Sequence, residues 1–150
     1  MKPLIVLLSV FIISIPIIKL FLKRYRFGLA GRIAMSAMLM FTAMGHFAFN
    51  EGMAMMIPDF LPYKTGIVYI TGIFEIVLAV GLLLPQFHKA TGWVVIIFLL
   101  LVLPANIYAA AHEVDYQNAT FNGPGMNYLW LRVPAQILYI AWAYVFAVRR

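Results

Sequence analysis

Gly66-Ile-Val-Tyr-Ile-Thr-Gly-Ile-Phe-Glu-Ile-Val-Leu-Ala-Val-Gly-Leu-Leu-Leu84 is the stretch that decides the fold. A helix of that length rises about 28 Å at 1.5 Å per residue, close to the roughly 30 Å of a bilayer's hydrocarbon core. Its single charge is Glu75, near the middle. A carboxylate at that depth costs roughly 3 kcal/mol to insert. The stretch also holds twelve Ile, Leu, Val and Phe residues, each favouring insertion by about 0.3 to 0.6 kcal/mol near the helix centre. The apolar sum wins, so the helix inserts with its acid. Glu75 then needs compensation from other spans and is a functional-site candidate by default.

The composition agrees. Of the 150 residues, 65% are hydrophobic and 11% charged, and the mean hydropathy is +0.95. No soluble domain of this size has enough interior for so much apolar surface, so the lipid bilayer is the expected solvent. Cysteine is absent, which excludes a disulfide framework and CxxC electron transfer to a quinone. The net charge of +6 does not point to nucleic acid, because the basic residues cluster at span ends as a topology signal.

Five segments are long and apolar enough to span: 4–22, 29–49, 66–84, 92–111 and 128–147. The expected fold is therefore all-α, an integral membrane helix bundle of five transmembrane helices. The first segment is too long for a secretory signal, lacks a small-x-small cleavage site, and ends in retaining charges. Alternate loops carry Lys19, Lys23, Arg24, Arg26, Arg32, Lys89, Arg149 and Arg150; the others carry Lys2 and Lys64 with Glu51, Asp59, Glu113 and Asp115. The positive-inside rule then puts the N-terminus outside and the C-terminus inside, in a bacterial cytoplasmic membrane.

Four further polar residues are potential partners for Glu75: His46, Asn106, Arg132 and Gln136. Counted from the outer ends, His46 and Arg132 are expected about one turn in, Asn106 deeper, then Gln136, with Glu75 near mid-depth. Pro104 and Pro134 adjoin this polar set and free backbone carbonyls there. The inner halves of the spans are almost purely apolar, which argues against a channel, pump or alternating-access carrier. Each residue also has a plainer reading. Glu75 would be a helix clamp on Arg132 or His46, Arg132 a snorkelling cation, and His46 a solvated interfacial side chain. Asn106 and Gln136 would link helices by hydrogen bonds of about 0.6 to 2 kcal/mol. Three scattered histidines without cysteine predict no metal site. Ala30, Ala34 and Ala37, and likewise Gly72 and Ala79, make small-residue stripes that let helices approach closely.

Two outer loops frame this set. Residues 50–63 are apolar, Met-rich and broken by prolines, predicting a short interfacial helix or lid. Residues 113–127 are polar, with a Gly-Pro-Gly turn and an Asn-Ala-Thr triplet at 118–120 that matches a glycosylation acceptor.

The stretches Gly45-His-Phe47, Ile57-Pro-Asp-Phe-Leu-Pro62, Thr71-Gly-Ile-Phe-Glu75, Leu82-Leu-Leu-Pro85 with Gly92-Trp93, Pro104-Ala-Asn-Ile107 and Trp130-Leu-Arg-Val-Pro-Ala-Gln136 resemble the DoxX-like family of small membrane proteins, in order and spacing. The resemblance covers roughly residues 28–148. It implies a four-helix DoxX-like membrane domain over 28–150, preceded by an extra transmembrane helix and basic inner loop over 1–27. The family takes its name from a quinol oxidase subunit. Relatives occur in thiosulfate:quinone oxidoreductases and oxidative-stress complexes, and animal members are receptor assembly factors. The resemblance carries no catalytic residue across, and whether the protein is an enzyme stays open.

The expectation is an outward-facing intramembrane pocket around Glu75, His46, Arg132, Asn106 and Gln136 that binds a lipophilic ligand, a quinone or lipid, in a redox or oxidative-stress setting. The alternative is a non-enzymatic accessory or assembly subunit, partnered by another membrane protein or by copies of itself.

Overall fold

The computed structural model describes residues 2–115, 120–123 and 125–149. The 118–120 triplet therefore falls partly outside the described residues, as do Pro124 and Arg150. The chain forms α1 (Lys2–Leu22), α2 (Phe27–Ala48), the short α3 (Asn50–Ala54), α4 (Lys64–Leu83), α5 (His88–Ala111) and α6 (Leu129–Ala143). A 3₁₀ turn, Gly125–Tyr128, leads into α6, and a π-helical turn, Tyr144–Arg149, extends it. Five of these segments are long and apolar enough to cross a membrane, and the fold is an all-α bundle. Large apolar side chains such as Ile12, Leu20, Ile70, Val77, Leu101 and Ile137 face outward, as lipid-facing residues do.

The helix ends follow local chemistry. Lys23 takes the left-handed conformation just after α1 (φ 57°), as a residue past a helix C-terminus often does. Glu113 does the same after α5 (φ 54°). There Val114 N–H donates to Ala109 O at 2.9 Å and Glu113 N–H to Ala110 O at 3.2 Å. That pair of bonds is the Schellman pattern, and it caps the carbonyls a helix end leaves unpaired.

α2, α4, α5 and α6 form a ring, closed by the π-helical turn packing back on α2 and α5. α1 is part of the packing as well. Leu7 is fully buried in the core, and Phe11 meets Trp142 edge-on, with ring centroids 4.9 Å apart. Gly31 lies directly beneath Phe146, and its carbonyl accepts from Trp142 Nε1 at 3.0 Å.

The α2–α4 contact is the tightest feature that bears on the polar residues. The two helices run antiparallel. Ser36 Oγ donates to Ala79 O at 2.8 Å, and a Cβ on Gly72 would lie 2.9 Å from His46 Cβ. Ala79 is buried in this seam; Ala34 is buried too, on another face of α2 from Ser36, whereas Ala37 is only half-buried. The helices are also staggered. His46 is close to the end of α2 but faces Gly72, about 12 Å along α4 from its start at 1.5 Å per residue. His46 is therefore deeper than its distance from its own helix end suggests. Counting inward from one helix end assumes that all helices end level, and α4 overshoots α2 by about one and a half turns. The space above α2 is filled by α3.

Replacing Gly72 with Val should force α2 and α4 apart and destabilise the protein by roughly 1 to 3 kcal/mol, read as a lower melting temperature in detergent. Gly66→Ala is the control. Its added Cβ meets only Tyr63 Cβ at 3.9 Å, and the melt should not fall.

Candidate functional site

Glu75 is 6% exposed. Its Oε2 lies 3.3 Å from His46 Nε2. The two atoms are close enough for an ion pair, but their alignment falls short of a hydrogen bond, so Oε2 keeps an unused acceptor position. The other imidazole nitrogen, Nδ1, is 3.0 Å from Val68 O and 3.1 Å from Thr71 Oγ1. Thr71 Oγ1 donates to the Ile67 or Val68 carbonyl, each at 2.9 Å.

Nδ1 lies within reach of a carbonyl acceptor and of a hydroxyl, so either tautomer of the ring finds a partner there. With its hydrogen on Nδ1 the ring donates to Val68 O; with its hydrogen on Nε2 it turns that hydrogen toward Glu75 and Nδ1 can accept from Thr71 Oγ1. The imidazole lies close enough to the carboxyl group to exchange a proton with it.

The remaining candidates belong to α5 and α6. Gln136 is 2% exposed, and its Nε2 donates to Leu99 O at 2.6 Å. Phe74 packs on Phe98 with ring centroids 5.6 Å apart, so Glu75, Leu99 and Gln136 occupy one layer of the bundle. Asn106 is buried and Arg132 half-buried. Asn106 Nδ2, Arg132 Nε and Gln136 Oε1 are buried with no hydrogen-bond partner among the described residues. Buried polar atoms are seldom left unpaired, and these three with Glu75 Oε2 mark a polar interior. The sequence left Arg132 and His46 as rival partners for Glu75, and the ion pair is with His46.

Two participants were not singled out from the sequence. Thr71 was legible, being four residues from Glu75 and so on the same helix face. Ser36 carries no such signal, because a lone serine in an apolar helix gives no hint of a partner 43 positions away.

Residues 49–63 cover the end of α2. Asn50 Nδ2 donates to Tyr69 OH at 2.5 Å, and Ile57 is buried. The segment also borders a shallow apolar groove of about 640 Å³, lined on one side by Pro58, Asp59 and Phe60 and on the other by Pro104, Ile107 and Tyr108. None of the five candidate residues lines that groove. Pro104, Ile107 and Tyr108 share one face of α5, and Asn106 projects from another. The groove and the polar interior are thus distinct features on two sides of α5.

The lid is tied down at its far end by an ion pair between Lys64 Nζ and Asp59 Oδ1. The hydrogen bond and charge of Lys64 hold the Asp59 carboxyl below its usual range. A depressed carboxyl stabilises the folded arrangement above its unfolded value, and that contribution disappears as pH falls through the folded value. Both groups are open to solvent, so the effect is local.

The fold and the buried polar layer define a helical membrane protein with a polar site inside its bundle. The chain belongs to a family described as a domain of unknown function, DUF8561, whose model matches residues 35–147. The match takes in α3 to α6 and most of α2, and leaves out α1. No curated protein and no solved structure matches.

The protection of residues 59–61 and 63 against hydrogen exchange, taken relative to the intrinsic rate at each pH, should fall as pH is lowered through the acid side of the carboxylate range. In Asp59→Asn that protection should already be low at neutral pH, with its acid-side dependence lost.

Proposed function

We propose that the His46–Glu75 pair receives the polar head of a lipophilic ligand, a quinone or a lipid, from the membrane leaflet on the lid side. One observation carries this reading: an acid–imidazole pair buried among apolar helices, with an unused acceptor on Glu75 Oε2. Asn106 Nδ2 and Arg132 Nε offer donors to a ligand oxygen, and Gln136 Oε1 offers an acceptor. A head group that both donates and accepts would complete this set. The resemblance to DoxX-like proteins, whose relatives work beside quinones, makes a quinone the first ligand to try. Entry requires the lid to move, and the Asn50–Tyr69 bond and the Asp59–Lys64 pair are the polar contacts it would break.

The orientation follows from charge. All five acidic residues except Glu75 lie at the lid end, and the cluster of basic residues lies at the opposite end. On the positive-inside rule the lid faces outward. Because the chain contains no cysteine, single-cysteine labelling gives a clean test. A cysteine at Phe60 should react with a membrane-impermeant maleimide in intact cells, and one at Arg149 only after the cells are opened.

Native mass spectra of gently extracted protein should show a discrete bound mass that is lost in Glu75→Gln while the melt stays close to wild type. A mass retained in the variant would overturn the reading. A ligand-free chain in both would favour the alternative, an accessory or assembly subunit. Phe60, Tyr63 and Trp130 are each more than 80% exposed at the lid end and would then be the surface to search for a partner.

A further inference from the structure

The opposite end of the bundle holds a second polar feature that the His46–Glu75 site does not use. Arg32 sits in the second turn of α2 and is 8% exposed. Its one hydrogen bond among the described residues is a long contact from Nε to Gly28 O, 3.4 Å, within its own helix. No carboxylate pairs with it: the two ion pairs among the described residues are His46–Glu75 and Lys64–Asp59. Nor does this end of the bundle carry an acidic side chain. The five acidic residues are Glu51, Asp59, Glu75, Glu113 and Asp115, all at the lid end or mid-span. A buried arginine is ordinarily paired, and no acidic side chain is placed to pair with this one.

The surroundings indicate what form that charge takes. Arg32 lines a groove of about 390 Å³ together with Tyr25, Arg26, Phe27, Gly28 and Leu29. Those residues include the first turn of α2, a helix of 22 residues whose N-cap makes no side-chain capping bond. The first hydrogen bond into this helix is Ala30 N–H to Arg26 O at 3.0 Å, so the amides of Phe27, Gly28 and Leu29 precede it and point out of the helix end. Two guanidinium groups and a helix N-terminus converge on one groove, a combination suited to a tetrahedral oxyanion. On the outer wall, Tyr25 and Phe27 stack with ring centroids 5.8 Å apart, and Lys19 Nζ donates to Tyr25 OH at 2.9 Å. The groove lies at the end of α2, a helix long and apolar enough to cross a membrane, and a span end is where lipid phosphates are met.

We propose that this groove binds a phosphate group, held by Arg32 and Arg26 and by the α2 N-terminal amides. The chemistry is the same whether the phosphate belongs to an anionic phospholipid or to a free solute. The site is independent of the His46–Glu75 reading and stands if that reading fails.

The test is native mass spectrometry of the full chain in neutral detergent, titrated separately with dioctanoyl phosphatidylglycerol, dioctanoylglycerol and inorganic phosphate. Wild type should retain phosphatidylglycerol or phosphate in preference to dioctanoylglycerol. Arg26→Gln, at an exposed position, should weaken that retention about tenfold, the loss of one charge-assisted contact. Arg32→Gln should weaken it at least as much where it folds. Lys89→Gln removes an equal charge from the same end outside the groove and should change nothing. Retention of the phospholipid alone identifies a lipid site; inorganic phosphate competing for it identifies a phosphate site open to solutes. Equal weakening by Lys89→Gln and Arg26→Gln would mean attraction to bulk charge and would overturn the proposal. So would binding that Arg26→Gln leaves unchanged, or no binding of either phosphate probe.

Discussion

A carboxylate in the middle of an apolar helix must be neutralised by a neighbour, and the packing of α2 on α4 follows from that requirement. Glu75 belongs to α4, and its neutralising group, His46, belongs to α2. The imidazole reaches the acid because Gly72 has no side chain to hold α2 away. The Ser36–Ala79 bond fixes the same seam further along. Close approach, a buried bond and a buried ion pair are therefore one arrangement. It sets the depth at which α2 ends, and with it the space that α3 and the lid occupy.

Much of this was legible in the residues. The five spans are plain in the hydropathy, since each is long, apolar and bounded by charges or turn residues. Glu75 stands out because the cost of inserting it is comparable to the whole apolar gain of several leucines. The choice between His46 and Arg132 was not legible. It depends on the stagger of α2 against α4, which is set by side-chain packing across the seam rather than by the length of either helix. Nor does the pattern of charges reveal that Arg32 is buried. In the sequence it reads as one more basic residue of an inner loop, yet it lies one full turn inside α2.

The two ends of the bundle treat charge in opposite ways. At the lid end acids and bases occur together, and Asp59 finds Lys64 within the chain. At the other end the bases have no acidic side chain nearby. The first arrangement closes on itself, and the second leaves its cations without an acidic side chain to meet. That difference comes from where five acidic residues fall in a chain of 150.

The pairing of His46 with Glu75 bears on the response of the site to an energised membrane. A single charge crossing the full transmembrane field gains or loses about 2.3 kcal/mol per 100 mV, and a bare carboxylate at mid-depth would feel a substantial part of that. An imidazolium 3.3 Å away would leave the field a dipole in place of a net charge. The sensitivity of the site to voltage is thereby tied to the protonation of His46.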